Sequence, residues 1–599
     1  MFDGRIYRAA LAPLLLVVVI VGFSLGGPVT PLHSTLAPDA FEGGPAYATL
    51  RRLLSAFPDR KPGSEGDRRL AAYIAQSLRS LSGNAGGGFQ VSTRSFAATT
   101  AEGERTLTEV VALRPGSTGD RPIAIVAHRD AATAGSAAEL SATAALLELA
   151  RVFAQSETRR TIVLVSTSGG SEGAATAGPA DHLSSTPDAA IVLGDLAGNR
   201  AHKPFVLPFA GTAASAPELL QRTLQGAISS EVGTDPGSVG FASQLAHLSL
   251  PLAIGEQAPL DAASIPAVTV QVSGVRGPVA GTRVSEARLA NFGRAVLSAV
   301  YALDEGSDVG QVPSTRLQLG NRALPAWAIR LLVLAALLAP LVTCVDALAR
   351  LRRRREPLRA GLAWASCGVV PFAVAALFAI VLGGLGMFAA PSGQLSAAAI
   401  SADSGVAAAL TATAVVLIAL LFARPALTRR VGADAAEHAD AAGLGAMFLL
   451  LAVGLLSWLV NPFAALLLVP ATHLGLLAAD SRPRLLSLPA LVLASLPLLA
   501  LALVYGRELG LGPLALSESV LSALAGGQVG VLAVLLWSVA LGSLLSLFAL
   551  AFAQQRQEHL SGNDGDGNGV PAPVEIFTRG PLTYAGPGSL GGTESALRR

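Results

Sequence analysis

The chain has 599 residues, of which 51% are hydrophobic and only 14% are charged, with a formal net charge of +2. Soluble proteins carry about 25% charged residues, and the charges here concentrate in residues 28–320, so the composition excludes a wholly soluble protein and indicates a soluble domain joined to a membrane domain. The small net charge gives no electrostatic case for nucleic-acid binding, and both cysteines, Cys344 and Cys367, lie in apolar segments, which excludes a disulfide framework in the soluble part.

The first apolar segment is ALAPLLLVVVIVGFSLGG, Ala10–Gly27, and it follows Arg5 and Arg8. Such a segment is typical of a signal peptide or of a permanent anchor. The apolar run is long for a signal peptide, and no clean A-x-A cleavage site follows it. The sequence therefore favours an uncleaved anchor, with residues 1–27 forming a cytoplasmic stub and a membrane span.

Residues 28–320 alternate between strand-like runs and helical patterns. The strand-like runs are TEVVALRPG, PIAIVAH, TIVLVSTS, AAIVLGDLAG, KPFVLPFAG and PAVTVQVSG, and the helical patterns are SEGDRRLAAYIAQSLRSL, AAELSATAALLELARVFAQ, APELLQRTLQGAISS and SEARLANFGRAVLSAVYAL. This alternation predicts an α/β domain with a mostly parallel sheet. Sites in such sheets form at the carboxyl ends of strands, where His128, Asp130, residues 166–172 and Asp195 are expected to lie.

The ordered set of segments resembles the zinc exopeptidases of metallopeptidase family twenty-eight, which include aminopeptidases and glutamate carboxypeptidase. The matching segments are FPDRKPGSEGDRRLAAYIAQSL, EVVALRPGS, PIAIVAHRD, TAALLELARVF, RRTIVLVSTSG, IVLGDLAG, LDAASIPAV and RLANFGRAVLSAV, over about residues 48–302. The resemblance implies a three-layer α/β/α fold. It also implies a site in which two zinc ions are bridged by a carboxylate and a water, with a glutamate acting as base on that water.

Three residues of this chain match the metal site of that family. His128 and Asp195 match ligand positions, and Asp130 matches the aspartate that supports the ligand histidine from behind. Without the family, His128 is interpreted as capping a strand through Asp130, and Asp195 as capping a turn before Gly198. The sequence leaves both interpretations open.

The other positions of the family's site lack their functional side chains. The bridging aspartate falls on Ala138, and the glutamate pair, base then ligand, falls on Gly170 and Ser171. No histidine lies in SGVRGPVAGTRVS, where the last ligand is expected, and His247 is the nearest one upstream. Because two metal ions cannot be held by the remaining residues, we expect a degenerate metal site.

A single zinc ion is the alternative. It would use His128 and Asp195 together with a displaced Glu139 or Glu172, although tetrahedral geometry tolerates little error in register. Glu172 is also the one candidate for a general base, and loss of such a base costs about 10²–10⁴-fold in rate. Zinc is therefore the expected cofactor if the chain binds one at all.

From Leu324 onward the chain is mostly Leu, Ala and Val, and seven further segments can cross a bilayer core of about 30 Å. They lie near 324–349, 361–388, 405–423, 443–460, 463–479, 485–505 and 529–552. Arginines cluster at 350–359, 424–430 and 482–484, whereas the intervening loops hold almost none apart from Arg507. The positive-inside rule then predicts eight spans, both termini cytoplasmic, and residues 28–320 extracytoplasmic, with the membrane domain covering 321–553.

Within the spans, His473 is the ionisable residue at mid-span, and we expect it to form a packing hydrogen bond rather than a proton relay. Asn461 and Pro462 are expected to form a tight extracytoplasmic turn. Residues 554–599 predict a disordered cytoplasmic tail. Within the tail, DGDGNGVPAPVE, Asp564–Glu575, fits the calcium-loop pattern, but its two prolines stiffen the second half and argue against calcium binding.

Three functions remain open. The first is a membrane protein whose peptidase-like outer domain has lost catalysis and binds a peptide or protein partner in the old cleft. The second is a divergent zinc exopeptidase of aminopeptidase type that cleaves peptides outside the membrane. The third is a transporter-like membrane domain regulated by the outer domain, which the uncharged spans make the weakest. The expected partners are a peptide or protein ligand, the lipid bilayer and further membrane subunits, but not nucleic acid.

Overall fold

The structure is a computed structural model. It describes residues 2–27, 29–81, 88–100, 102–174, 186–209, 211–310, 316–320, 322–388, 390, 393–395, 404–431, 438–479 and 486–563. The calcium-loop pattern at Asp564–Glu575 lies outside the described residues. The chain divides into two compact units, residues 1–551 and 552–599, and the architecture below is that of the first.

The domain of residues 28–320, here called the outer domain, is built on a seven-stranded sheet. The strands are β1 (Gln90–Thr100), β2 (Gly103–Arg114), β3 (Ile123–His128), β4 (Ile162–Thr167), β5 (Ala189–Leu193), β6 (Val206–Leu207) and β7 (Ala267–Val270). Their order across the sheet is β1-β2-β4-β3-β5-β7-β6. The four central strands, β4, β3, β5 and β7, are parallel, and the strands at both edges are antiparallel to their neighbours. The predicted α/β class with a mostly parallel core is confirmed.

The central strands are apolar along their whole length because both of their faces are buried. In β3, Ile123 and Ile125 face one side, and Ala124 and Val126 face the other. The first side meets most of the helices of the domain in one large apolar cluster. The second side carries a smaller cluster, to which the short helix Ala258–Ala262 contributes Leu260.

The helices of the outer domain are α2 (Gly43–Ala56), α3 (Glu65–Ser80), α4 (Ala137–Gln155), α5 (Glu218–Val232), α6 (Phe241–Ser249), α7 (Ala258–Ala262) and α8 (Glu286–Glu305), after the N-terminal apolar helix α1 (Gly4–Phe23). The four helical patterns in the sequence correspond to α3, α4, α5 and α8. Ser64 caps α3 by accepting a hydrogen bond from the Asp67 amide. The predicted strands and helices do not include β1, α2 or α6. Strand β1 is largely exposed and its composition is polar, so it lacks the apolar alternation that marks a half-buried strand.

The membrane domain contains helices α9 (Ala326–Arg353), α10 (Leu358–Ser366), α11 (Val370–Gly384), α12 (Ser404–Arg430), α13 (Ala439–Val460), α14 (Pro462–Ala479), α15 (Ser487–Leu509), α16 (Pro513–Ala525) and α17 (Val531–Asn563). Among the described residues, eight helical segments, including α1, are long and apolar enough to cross a bilayer, and α10 with α11 counts as one of them. The last helix continues past residue 554 into the segment that the sequence predicts as disordered.

Two ends of the membrane domain are distinguished by their contacts. At one end, Asp3, which precedes α1, forms an ion pair with Arg350, at 2.9 Å between Oδ2 and Nη2. At the other end, Asn461 donates from Nδ2 to the carbonyl of Leu248 in the outer domain, at 2.7 Å. The N-terminus and the arginine-rich segment therefore lie on one side, and the 461–462 turn lies on the side of the outer domain.

His473 forms a packing contact inside the bundle. Pro340 in α9 has no amide hydrogen, so the carbonyl of Ala336 lacks its usual helical donor. His473 Nε2 supplies that donor at 2.9 Å, and its Nδ1 accepts from the hydroxyl of Tyr7 at 2.6 Å. One imidazole thereby joins α1, α9 and α14 and satisfies a backbone group that the bilayer could not solvate.

Candidate functional site

A cavity of about 740 Å³ opens at the carboxyl ends of the parallel strands, which is where sites form in sheets of this class. Its outer-domain walls come from the loops after β3, β4 and β5 and from the segment that surrounds α7. The remaining wall comes from the membrane domain, through Gln394, Leu395 and Leu509. The cavity is therefore shared by the two domains.

His128, the last residue of β3, lines this cavity and pairs with Glu256. The distance from His128 Nδ1 to Glu256 Oε2 is 3.7 Å, and both carboxylate oxygens accept from the hydroxyl of Thr167, at 3.1 and 3.2 Å. Burial by itself would lower the pKa of His128, but the Glu256 carboxylate outweighs it and raises that pKa to about 9. Without a metal ion His128 is thus an imidazolium at neutral pH, and it would have to lose a ring proton to ligate a metal.

Glu256 occupies the space beside Gly170. A Cβ built on Gly170 would lie 2.0 Å from Glu256 Oε1 and 2.7 Å from its Cδ. Position 170 is the one where the family resemblance places the catalytic base. A carboxylate therefore does reach this point, but it comes from the segment before α7 and not from the loop after β4. The sequence signal that could have revealed Glu256 is an isolated acidic residue in the apolar run PLAIGEQAPL.

Asp130 contacts the other member of the missing pair. Its Oδ2 accepts from the amide of Ser171 at 2.9 Å and from the Ser171 hydroxyl at 2.5 Å. The residue expected to support His128 from behind thus anchors the loop after β4. Its charge still acts on His128, where it is a minor contributor to the raised pKa.

Arg129, between His128 and Asp130, forms an ion pair and hydrogen bonds inside the fold. Arg129 is fully buried and pairs with Asp67, at 2.8 Å between Nε and Oδ1. The same guanidinium donates to the backbone carbonyls of Thr108 and Ser166, on β2 and β4. Burial raises the pKa of Asp67, and the charge of Arg129 opposes that rise. This buried pair fixes the end of β3, and with it His128, against α3 and the two neighbouring strands.

Glu139 and Glu172 both line the same cavity as His128. Glu139 lies in the first turn of α4; burial raises its pKa, and the charge of His128 opposes the rise. Its Oε2 atom is buried without a hydrogen-bond partner among the described residues. Burial likewise raises the pKa of Glu172, whose carboxylate interacts with the Thr100 hydroxyl. The structure therefore brings three of the predicted site residues, His128, Glu139 and Glu172, to one cavity.

Asp195 does not line this cavity. It follows β5 and is fully buried, and its Oδ1 accepts from the amides of Ala197 and Gly198 at 3.0 and 2.7 Å. Burial raises its pKa, and these two amides oppose the rise. A Cβ on Gly198 would lie 2.1 Å from Asp195 Oδ2, so the turn requires glycine there. The contacts are those of a turn cap, and Asp195 lies outside the lining of the cavity.

These donors do not fit the two-zinc centre that the resemblance implies. His128 Nδ1 lies 3.7 Å from a carboxylate oxygen of Glu256, and Oδ1 of Asp195 accepts hydrogen bonds from two backbone amides. Within the described residues, no group of three or more His, Cys, Asp or Glu side chains is arranged to hold a metal ion. Metal ligands must converge on one point at about 2.0–2.2 Å from a zinc ion, and the residues present do not converge in that way.

His247 lines the cavity next to the membrane domain. Its Nε2 lies 2.8 Å from Oε2 of Glu508, near the end of α15. The ring of Phe209 stacks on the imidazole at 5.4 Å between centroids, and Tyr505 meets its edge at 5.2 Å. The histidine nearest to the missing last ligand is thus held by a carboxylate and two aromatic rings.

A short segment of the membrane domain, residues 393–395, forms the cavity wall beside Gly170. The amides of Gly393 and Gln394 both donate to the carbonyl of Gly173, at 3.2 and 3.1 Å. The side-chain amide of Gln394 donates to the carbonyl of Gly170, and the amide of Leu395 donates to that of Ala253 at 2.6 Å. This segment therefore fixes the loop after β4 and the segment before α7 to each other.

No protein-family model matches this chain, and no curated protein matches it at a significant level. Solved structures similar to about half of this chain include Fimbriiglobus ruber glutaminyl cyclase, with 15% identity, a TM-score of 0.35, and coverage of 46% of this chain and 99% of that one. Legionella pneumophila LapA aminopeptidase has 13% identity and a TM-score of 0.35, covering 49% and 89%. BSAP, a zinc aminopeptidase from Bacillus subtilis, has 15% identity and a TM-score of 0.33, covering 46% and 99%.

Proposed function

We propose that this chain is a membrane protein whose outer domain binds a peptide or protein segment in the shared cavity without hydrolysing it. The observation that carries the proposal is the pairing of His128 with Glu256. That ion pair stands where a catalytic centre would need a neutral imidazole and a free carboxylate. Asp195, engaged by two backbone amides, supports the same conclusion.

The cavity suits a polypeptide ligand. Its volume of about 740 Å³ lies within the range of about 300–1,000 Å³ that is usual for ligand sites. Its walls combine apolar surface with the carboxylates of Glu139 and Glu172 and the guanidinium of Arg276. Mixed walls of this kind can accept both the backbone and the charged side chains of a peptide.

The test uses the full chain, purified in detergent and reconstituted in lipid nanodiscs. After incubation with zinc and removal of the excess, bound zinc is measured by mass spectrometry, and turnover is measured on a panel of aminoacyl and dipeptide substrates. We expect substoichiometric zinc and no turnover. Stoichiometric zinc together with turnover, both lost in His128→Ala but kept in the exposed control His202→Ala, would contradict the proposal.

A divergent exopeptidase is the second candidate, and one observation favours it. Glu256 places a carboxylate at the point where the family resemblance expects the catalytic base. If the chain turns over peptides, Glu256→Gln should abolish turnover, because the amide cannot accept the proton of the attacking water. Retained turnover in Glu256→Gln would remove this candidate.

We also propose the orientation of the chain in the membrane. The ion pair between Asp3 and Arg350 places the N-terminus beside the arginine-rich segment, and such segments favour the cytoplasmic side. The outer domain would then be extracytoplasmic. Protease protection of an epitope tag at the N-terminus in sealed, right-side-out vesicles, with cleavage of the outer domain, is the expected result; the reverse pattern would overturn the orientation.

A further inference from the structure

The membrane domain forms part of the cavity wall, and this bears on the kind of ligand the cavity takes. We propose that the ligand is a polypeptide segment anchored in the same membrane as this chain, bound where it leaves the bilayer. The inference rests on the proposed function and specifies its partner. It predicts that a freely diffusing peptide of the same sequence binds much more weakly.

The end of α15 indicates where the cavity lies relative to the membrane surface. Leu509 is the last residue of that helix, which is one of the eight segments able to cross a bilayer, and Leu509 lines the cavity. The end of a spanning helix lies at the edge of the apolar core of the bilayer. The cavity therefore begins at the membrane surface, within reach of a segment that emerges from a neighbouring span.

The membrane-side wall is held in place at separate points. Glu508 pairs with His247 at 2.8 Å, and Asn461 bonds the carbonyl of Leu248 at 2.7 Å. Arg276, another lining residue, lies so close to Gly510 that a Cβ there would be 2.8 Å from three of its side-chain atoms. These contacts join α6 and the loop after β7 to the ends of α13, α14 and α15, so the wall is a fixed part of the site.

The chemistry of the lining changes from one wall to the other. Near the strand ends the lining includes the carboxylates of Glu139 and Glu172, whereas the wall at the membrane domain includes Phe209, Leu395 and Leu509, together with the polar side chains of Gln394 and His247. A segment that leaves a bilayer is apolar first and polar afterwards. Such a segment therefore fits the lining when its apolar part lies against Leu395 and Leu509 and its polar part reaches the strand ends.

Confinement to one membrane also favours such a ligand energetically. A tethered ligand is presented at a high effective concentration, and linkage of this kind raises apparent affinity by about 10²–10⁴-fold without any new contact. A cavity of modest intrinsic affinity at the membrane surface would then select membrane-anchored partners over soluble peptides.

The experiment compares one random 20-residue peptide library in two forms. One form is soluble, and the other is fused to a polyleucine spanning helix and reconstituted with the full chain in nanodiscs of phosphatidylcholine and phosphatidylglycerol. Capture is measured for the unaltered chain, for Val279→Asp in the exposed part of the cavity lining, and for Leu36→Asp, an exposed control outside the lining. Empty nanodiscs give the baseline.

We expect the tethered library to be captured at least about 10²-fold better than the soluble one, with the gain lost in Val279→Asp and kept in Leu36→Asp. Equal capture of both forms would overturn the inference and leave the proposed function standing. Capture that is unchanged in Val279→Asp would place binding outside the cavity and overturn the inference. Capture of neither form would overturn both the inference and the proposed function.

Discussion

The carboxylate of Glu256 lies in the space that a side chain on residue 170 would need, since a Cβ on Gly170 would approach Glu256 Oε1 to 2.0 Å. The same carboxylate pairs with His128 and accepts from Thr167. The observed position of the Glu256 carboxylate therefore requires glycine at residue 170. This dependence can be tested without any knowledge of the ligand.

Gly170→Ala should displace Glu256 and lower the pKa of His128. The atoms that meet the new Cβ belong to the flexible end of the Glu256 side chain, so the side chain should move and its ion pair with His128 should weaken while the fold persists. We expect the pKa of His128 to fall from about 9 towards its ordinary value of 6.5, as measured by NMR titration of the histidine ring.

The matched control is Gly119→Ala, because a Cβ at Gly119 meets nothing within 4 Å. It should leave the titration of His128 unchanged. An unshifted pKa in Gly170→Ala would show that Glu256 does not depend on the glycine for its position.

The same ion pair should make stability depend on pH. The pKa of His128 in the folded chain, about 9, lies above the unfolded value of 6.5, so the folded state holds the proton more tightly. The stabilisation is fully present below pH 6.5 and is lost as the pH rises through 9. A shift of this size corresponds to about 3 kcal/mol at most.

In Glu256→Gln the decline between pH 6.5 and 9 should largely disappear, because the amide cannot stabilise the imidazolium. Thermal unfolding of the full chain in detergent at a series of pH values measures the difference. Glu104→Gln, which removes an exposed carboxylate of β2, serves as the comparison and should keep the decline. A decline of equal size in both variants would assign it to other groups.

Pro340 and His473 should be energetically coupled. In His473→Leu the Ala336 carbonyl loses its donor, and an unsatisfied buried group costs about 1–3 kcal/mol. Pro340→Ala restores a backbone amide that can bond this carbonyl, so His473→Leu should then cost less. A double-mutant cycle on unfolding in detergent measures the coupling, with Tyr7→Phe in every variant so that the tyrosine hydroxyl does not contribute. Additive effects would show that the imidazole does not replace the missing amide.

Asn461 should couple the membrane domain to the outer domain. Its Oδ1 accepts from the amides of Phe463 and Ala464 and so caps α14, while its Nδ2 donates to the carbonyls of Leu248 and Ser249. Asn461→Ala removes both functions, and we expect a loss of about 2–3 kcal/mol from the cap and the hydrogen bonds together.

Asn461→Ser separates the two contributions, since a serine hydroxyl can still cap the helix but is too short to replace the amide donor. It should recover about 1 kcal/mol of that loss. Denaturant unfolding followed by tryptophan fluorescence provides the measurement. Equal stability of the serine and alanine variants would mean that the cap contributes nothing.

Features that depend on local pattern could be predicted from the amino-acid sequence. The apolar runs of β3, β4 and β5 and the eight segments able to cross a bilayer could be recognised because burial on both faces, or in lipid, requires continuous apolar residues. The position of His128 at the end of its strand followed from the same pattern. The interpretation of Asp195 as a turn cap before Gly198, which the sequence left open, agrees with its contacts in the structure.

The surroundings of these residues could not be predicted in the same way, because they depend on how distant segments pack. Glu256 reaches His128 from a segment far along the chain, and Leu395 and Leu509 reach the cavity from the membrane domain. Contacts between distant segments leave no periodic pattern in the sequence. A glutamate in an apolar run looks the same in the sequence whether its carboxylate accepts hydrogen bonds, forms an ion pair or is exposed. Polarity along the chain fixes which segments are buried, whereas the partner of each buried charge is set by how distant segments pack.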